Sequence, residues 1–254
     1  MLKGIAGILS LGFVLVLLAC GGPTDAVERA PADEPTAPPP SGTAGVTGTI
    51  TFEGESPRLT PISMDADPGC AIKHDEPVLP EVLVLGEGNT MANVLVRIKS
   101  GLPEARWPVP SEAAVMDQEG CKYIPHVIGI RAGQTLRILN SDGLLHNVHA
   151  LPKVNQEFNM AMPASRTEAE RVFDRPELPP FQVKCDVHPW MTSYIAVMDH
   201  PHFSVTEKDG GFTISGLPAG AYEVEAWHEV LGTQSTSVTV ADGETATADF
   251  TFSR

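Results

Sequence analysis

Two short segments of this chain contain the side-chain types that hold a redox-active metal. One segment carries Cys185, His188 and Met191 at the spacing Cys-x2-His-x2-Met, and an upstream segment carries His146. Thiolate and thioether sulfurs are soft donors that suit Cu(I), and imidazole suits both copper oxidation states. One Cys, two His and one weak axial Met form the ligand set of blue-copper electron-transfer sites. Zinc is a weaker candidate, because it has little use for a thioether. The residue types therefore predict one copper ion with no open position for a substrate.

The two segments resemble cupredoxins of the amicyanin and plastocyanin type. Residues 185–191 read Cys-x2-His-Pro-aromatic-Met, as the short ligand loop of that family does. Residues 130–140, followed by His146, are similar to the family's turn, apolar strand, Asn and first ligand His. The resemblance covers residues 113–199. It implies that the copper ligands are His146, Cys185, His188 and Met191.

The resemblance also implies roles for residues beside the ligands. Asn147 corresponds to the Asn that ties the two ligand loops together in the family. The ring edge of His188 would be exposed, as it is for the C-terminal ligand His of cupredoxins. Pro189 and Trp190 would then form part of an apolar patch around it, where electrons leave the site.

The N-terminus is typical of an exported bacterial lipoprotein. Lys3 precedes an apolar run over residues 8–18, which ends in Leu-Leu-Ala before Cys20. This order of charged, apolar and small residues is that of a signal peptide, and the ending resembles a lipobox. We expect residues 1–19 to be removed and Cys20 to be lipidated. An ordinary signal peptide with an incidental Cys is the alternative.

The expected location of the protein follows from that leader. Residues 20–45 are rich in Pro, Ala and Thr, so they are predicted to be a tether without a core. The body would be anchored through lipid at the periplasmic face of a membrane, the outer membrane in our interpretation, or at the cell surface.

Cys70 and Cys121 remain after one cysteine is assigned to lipid and one to copper. Paired cysteines in an oxidising compartment are expected to form a disulfide. The alternative is a second metal site, in which His74 and His126 would join the two cysteines. Their spacing is not that of a known zinc finger, and the sequence leaves both possibilities open.

The acidic composition restricts the partners. The 254-residue chain has a formal net charge of −15 at pH 7. Nucleic acid is excluded as an expected partner, because phosphate contacts need basic patches. A redox protein with a basic surface fits, such as a c-type cytochrome or a periplasmic dehydrogenase, because opposite charge steers association.

The body is predicted to be all-β. Short alternating segments at residues 47–52, 93–98 and 222–227, separated by Gly and Pro turns, indicate β-sandwiches. Residues 165–172 are the one segment expected to form a short helix. Residues 209–222 resemble a carboxypeptidase regulatory-like domain of the transthyretin type, because they read Asp-Gly-x-Phe-x-Ile-x-x-Leu-Pro-Ala-Gly-x-Tyr.

These resemblances predict a nested arrangement of two sandwiches. Residues 46–104 and 203–254 together would form the carboxypeptidase regulatory-like, immunoglobulin- or transthyretin-like sandwich. Residues 105–202 would form a Greek-key cupredoxin domain inserted between them. Consecutive domains are the simpler alternative.

The expected function is single-electron transfer without catalysis. The chain has no Gly-x-Ser-x-Gly, no His-Glu-x-x-His and no phosphate-binding glycine loop. A copper enzyme would also need a second, open copper site, and none is evident from the sequence. Two other functions remain as alternatives: a copper chaperone or storage lipoprotein, and a cell-surface binding module in which copper is secondary.

Overall fold

The structure is a computed structural model that describes residues 42–254. The predicted signal peptide, Cys20 and nearly all of the predicted tether lie outside the described residues, so they stay predictions. Within residues 42–254, no helix is both long enough and apolar enough to cross a membrane.

The described residues contain seventeen strands, one short α-helix and one turn of 3₁₀ helix. The all-β prediction is confirmed. The helical elements are α1 (Pro68–Ala71) and the 3₁₀ turn (Glu87–Asn89). The strands are β1 (Ala44–Glu53), β2 (Leu95–Ser100), β3 (Ala114–Glu119), β4 (Lys122–Ile124), β5 (Val127–Arg131), β6 (Thr135–Asn140), β7 (His146–Ala150), β8 (Phe158–Met162), β9 (Glu168–Val172), β10 (Glu177–Lys184), β11 (Thr192–Met198), β12 (Phe203–Val205), β13 (Gly211–Leu217), β14 (Gly220–His228), β15 (Gly232–Val240), β16 (Thr245–Thr247) and β17 (Phe250–Ser253).

The predicted helix over residues 165–172 is wrong. Glu168–Val172 is strand β9, which pairs antiparallel with β6. Ala169 is buried while its two neighbours are exposed, as the period of two along a strand requires. Pairing with the sheet edge therefore overrides the local helical preference.

Strands β3 to β11 form the central sandwich. One sheet has the order β5-β11-β10-β7-β8 and the other the order β4-β3-β6-β9. Apolar side chains of both sheets share one core, to which Met116 and Ile138 contribute from one sheet and Val148 and Val183 from the other. Alternating inward and outward residues along the strands make this packing possible.

The remaining strands form the terminal sandwich, with strands from both ends of the described chain. One sheet joins β13, β1 and β16, with β17 also paired to β1, and the other has the order β12-β2-β14-β15. Ile50, Ile98, Val224 and Phe252 are fully buried in its core. The exact domain boundaries stay a prediction.

A small apolar cluster lies where the two sandwiches meet. It contains Leu95 of β2, Val127 of β5, and Ala196 and Met198 of β11. Gly129 of β5 belongs to this contact, because a Cβ atom there would lie 2.5 Å from the ring of Phe203.

Residues 62–78, between β1 and β2, form a cap segment on the central sandwich. Met64 and Cys70 are buried in the central core, with Ile62 and Val78 packed against it. The Ile62 amide donates a hydrogen bond to the carbonyl of Val78 at 2.8 Å, which closes the segment at its two ends. The cap segment contains α1.

Candidate metal centre

The candidate ligands meet at one end of the central sandwich. His146 is the first residue of β7, and Cys185 directly follows the last residue of β10. His188 and Met191 lie on the turn that leads to β11. This turn is closed by hydrogen bonds from the Met191 amide to the His188 carbonyl at 2.9 Å and from the Cys185 amide to the Met191 carbonyl at 3.2 Å.

All four side chains are buried. His146 is 0% exposed, Met191 1%, and Cys185 and His188 are each 2% exposed. Ligand atoms of His146, Cys185 and His188 lie within 4.8 Å of one another, which is close enough for one ion to contact all three. The structure therefore brings the three predicted strong ligands together, with Met191 buried in the same loop.

The two imidazoles are oriented by carboxylates. The Nε2 atom of His146 lies 2.8 Å from Asp142 Oδ2, and Nε2 of His188 lies 2.9 Å from Asp67 Oδ2. An ionised carboxylate only accepts hydrogen bonds, so each Nε2 carries the proton that it donates. The Nδ1 atoms are then left as lone-pair donors, and they face each other at 2.9 Å.

This arrangement passes a chemical test for a metal site. Two imidazole lone pairs pointing at each other repel unless a cation or a shared proton lies between them. Carboxylate-bound histidines are the usual way to fix the tautomer of a metal ligand. Two imidazoles, a thiol and a thioether are the donors that suit copper in both oxidation states. The residues present fit a copper ion.

The electrostatics of the site favour a thiolate and cationic groups. Burial alone raises the pKa of the Cys185 thiol, but hydrogen bonds from His146 and from backbone amides outweigh it and lower that pKa. Burial also tends to lower the pKa of His146, whereas its contacts with Asp142 and Cys185 raise it to about 9. Positive charge is therefore stabilised where the ligands converge.

Asn147 connects the two ligand segments. Its side-chain oxygen accepts hydrogen bonds from the amides of Asp186 at 2.6 Å and Val187 at 3.3 Å. Its side-chain nitrogen donates to Asn159 at 2.7 Å. The strand that begins with His146 is thus tied to the loop that carries His188.

The expected exposure of His188 is wrong. The cap segment covers its ring, because Asp67 bonds Nε2 and the Cys70 sulfur lies 3.6 Å from the same atom. Trp190 is half-buried beside His188, with ring centroids 5.0 Å apart, and its Nε1 donates to the Cys121 carbonyl at 3.1 Å. Pro189 is exposed. Leu145, which was expected in the same patch, is also exposed, so the apolar residues reach solvent on both sides of the covered His188 ring.

Trp190 also lines a cavity beside the site. The cavity has a volume of about 260 Å³ and is also lined by Met191, Lys122, His126 and Glu81. It leaves an open approach to the Trp190 side of the centre, whereas the cap segment covers His188.

The structure joins Cys70 and Cys121 by a disulfide. Nε2 of His74 donates to the Gly120 carbonyl at 2.8 Å, and Nε2 of His126 lies 2.5 Å from Glu229. Among residues 42–254, the groups that could hold an ion include neither His74 nor His126. The four residues of the alternative second metal site are therefore not brought together.

Three polar residues at the centre were missed from the sequence. Asp142 lies four residues before His146 and accepts from the Gly120 and Cys121 amides at 2.7 and 2.8 Å. Tyr123 is 1% exposed, and its hydroxyl donates to the Asn147 carbonyl at 2.5 Å. Asp67 comes from the cap segment. Of the three, only Asp142 lies near a ligand in sequence, four residues before His146.

Comparison with known proteins finds similarities to two kinds of protein. Residues 195–253 match the model of the carboxypeptidase regulatory-like domain. Among solved structures, a copper(I) mutant of amicyanin is 21% identical, with a TM-score of 0.30, and the match covers 41% of this chain and 98% of that one. A purple cupredoxin from Nitrosopumilus maritimus is also 21% identical, with a TM-score of 0.28, covering 34% of this chain and 99% of that one.

A larger copper protein is similar over a part of its length. The Cu-containing nitrite reductase from Thermus scotoductus SA-01 is 20% identical with a TM-score of 0.31, and the match covers 38% of this chain. The matched part spans only 24% of the nitrite reductase chain. No curated protein matches this sequence. The chain is thus similar to cupredoxins in one part and to carboxypeptidase regulatory-like domains in another.

Proposed function

We propose that this chain is a one-electron carrier that holds a single copper ion between His146, Cys185, His188 and Met191. The observation that supports this most is the convergence of two imidazole Nδ1 atoms at 2.9 Å, with each Nε2 held by a carboxylate. Bound copper would supply a centre that cycles between Cu(I) and Cu(II).

The chain's own residues keep the site rigid and closed. Asn147 and the turn hydrogen bonds fix the ligand loop, and strands β7 and β10 fix the ends at which His146 and Cys185 lie. Because all four ligands are buried, water and small anions have no direct access to them. A closed ligand set favours electron transfer over catalysis, because a catalytic metal needs an open position. It also disfavours a copper chaperone, which must exchange its metal readily.

Electrons would enter and leave on the Trp190 side. The Trp190 ring packs against His188 and is half-exposed, and the exposed Pro189 adjoins it. We propose a redox protein with a basic surface as the partner, such as a c-type cytochrome or a periplasmic dehydrogenase, because the chain carries a net charge of −15. Redox encounters of this kind use small interfaces.

The cellular setting completes the proposal. Lipidation at Cys20 and the tether over residues 20–45 would hold the carrier at the periplasmic face of a bacterial membrane or at the cell surface. The cupredoxin domain over residues 105–202 would carry the electron, and the sandwich of residues 46–104 and 203–254 would support it. Mass spectrometry of the protein purified from membranes tests the anchor.

The copper assignment is tested with a matched pair of ligand variants. The copper-loaded protein should contain one copper per chain and show the intense visible band of a copper–thiolate bond. Cys185→Ser should lose that band, because the thiolate is gone. Met191→Gln should keep the colour but shift to a lower reduction potential, because an amide oxygen favours Cu(II) and the axial ligand is weak.

Far-UV circular dichroism should be unchanged in both variants, which shows that the strands remain. A colourless wild-type protein loaded with Cu(II), or a Cys185→Ser variant that stays blue, would contradict the proposed function.

A further inference from the structure

The second ligand histidine is closed off by a carboxylate from a distant part of the chain. Asp67 precedes His188 by 121 positions, yet its Oδ2 lies 2.9 Å from Nε2 of that ring. The His188 side chain is 2% exposed, whereas the Asp67 side chain is 35% exposed. The carboxylate therefore lies between the buried ring and the solvent.

Local structure holds Asp67 in this position. Asp67 is the N-cap residue of α1, and its Oδ1 accepts from the Gly69 amide at 2.9 Å. One carboxylate oxygen thus caps the helix while the other meets His188. Cys70, in the same helix, is bonded to Cys121 of the central sandwich. The cap and the disulfide set the direction of the carboxylate.

The charge of Asp67 is also stabilised by these contacts. His188 Nε2 and the Gly69 amide each lie 2.9 Å from one of its two carboxylate oxygens and donate to it. An ionised carboxylate on the outer N–H makes an imidazole a stronger donor at its other nitrogen. Negative charge nearby also favours the more positive state of a bound ion.

We propose that Asp67 is a positioning residue, which fixes His188 through Nε2, closes its outer edge and lowers the reduction potential of the copper site. This inference rests on the proposed function. Each ligand histidine is then held through Nε2 by a carboxylate, because Asp142 accepts from Nε2 of His146. The position of Asp67 also explains why the electron path must avoid the edge of His188.

The test compares two substitutions that remove the same charge from the cap segment. Asp67→Asn keeps the shape of the side chain and can still cap α1, since Asn and Asp are nearly equal at that position. Asp65→Asn is the control, because Asp65 is exposed and its carboxylate bonds the Ser63 hydroxyl at 2.8 Å. The potential of the copper-loaded, full chain is measured for each by redox titration.

Asp67→Asn should shift the equilibrium about tenfold towards the reduced form, which is about 59 mV for a one-electron couple. Asp65→Asn should stay at the wild-type potential. A second measurement uses the copper-free protein: the Nε2 proton of His188 should exchange slowly with water in wild type and rapidly in Asp67→Ala, as followed by nitrogen-15 NMR.

The outcomes separate the inference from the proposed function. A wild type without a copper–thiolate band overturns the proposed function. A blue wild type in which Asp67→Asn and Asp65→Asn share one potential overturns the inference about Asp67 alone. Equal proton exchange in wild type and Asp67→Ala overturns the closing role of Asp67 without any reference to copper.

Discussion

The two sandwiches both have an apolar core, but they differ in the charged side chains that they bury beside it. The terminal sandwich fills its core with residues such as Ile50, Ile98 and Phe252, which contribute apolar surface and nothing else. The central sandwich buries His146 and Asp142 at 0% and 9% exposure, next to an equally apolar core. Burying such groups costs free energy unless each finds a partner.

The partners in the central sandwich show what its polar interior is for. Asp142 receives two backbone amides, His146 and the Lys73 ammonium at 3.1 Å, so its charge is fully satisfied. These contacts outweigh burial and lower the pKa of Asp142 to about 2. The Nδ1 atoms of His146 and His188 are left facing each other at 2.9 Å. The central sandwich thus gives up part of its apolar core to a cluster of paired polar side chains at the proposed copper site.

The largest expected effect on stability concerns the disulfide that joins the cap segment to the central sandwich. Cys70 and Cys121 are separated by 51 positions. A cross-link that closes a loop of about 50 residues contributes about 4 kcal/mol in the chain-entropy model. Replacing both residues, as Cys70→Ala with Cys121→Ala, should lower the free energy of unfolding by about that amount, measured in urea.

The loss of stability should affect the central sandwich first, because the cap segment packs against it. Thermal unfolding followed by the copper–thiolate band should shift to lower temperature before the far-UV signal does. Identical urea midpoints for wild type and the double variant would show that the cap segment is held by packing alone.

The distance in sequence between residues that meet in the site also explains which of them the sequence could predict. Cys185, His188 and Met191 lie in one loop, so their shared spacing indicates the metal. Strand alternation likewise indicates β1 and β14. Asp67 carries a local signal, since Asp before Pro and Gly is typical of a helix N-terminus. No local pattern reveals which surface that short helix covers.

Two wrong predictions have the same origin. The exposure of His188 was expected from the resemblance of its loop to that of cupredoxins, but the cap segment that covers it comes from far earlier in the chain. Residues 165–172 were expected to be helical, but pairing with β6 makes Glu168–Val172 a strand. In both cases a long-range contact outweighs the local pattern.

The next largest effect concerns the loss of stability in acid that is caused by His202, at the junction of the two sandwiches. Burial is the main reason that the pKa of His202 is lowered to about 4, and electrostatic interactions with His200 and Arg131 add to the shift. The Trp107 ring and the Ser215 carbonyl complete its surroundings. The folded protein therefore keeps His202 neutral at a pH where the unfolded chain protonates it.

The sign of the pH effect follows from this difference. Between pH 6.5 and pH 4 the unfolded state binds more protons, so stability falls as the pH is lowered through that window, by about 3 kcal/mol from this residue. His202→Gln should lose that much less stability between pH 7 and pH 4 in urea titrations. A variant that weakens as steeply as wild type on acidification would contradict the pKa shift of His202.

The smallest effect tests whether the two sandwiches stabilise each other. His126 of the central sandwich and Glu229, which follows β14 of the terminal sandwich, lie 2.5 Å apart with side chains only 5% and 6% exposed. A double-mutant cycle with His126→Ala and Glu229→Ala should give a coupling energy of about 1 kcal/mol, because paired buried groups interact directly.

The matched control is the pair Arg97–Glu225, 2.7 Å apart within the terminal sandwich. Removing the Arg97–Glu225 pair should shift only the unfolding transition that is followed by far-UV circular dichroism. Removing the His126–Glu229 pair should also separate this far-UV transition from the transition that is followed by the copper–thiolate band. If both transitions stay coincident after the pair is removed, the apolar cluster around Leu95 and Val127 alone couples the two sandwiches.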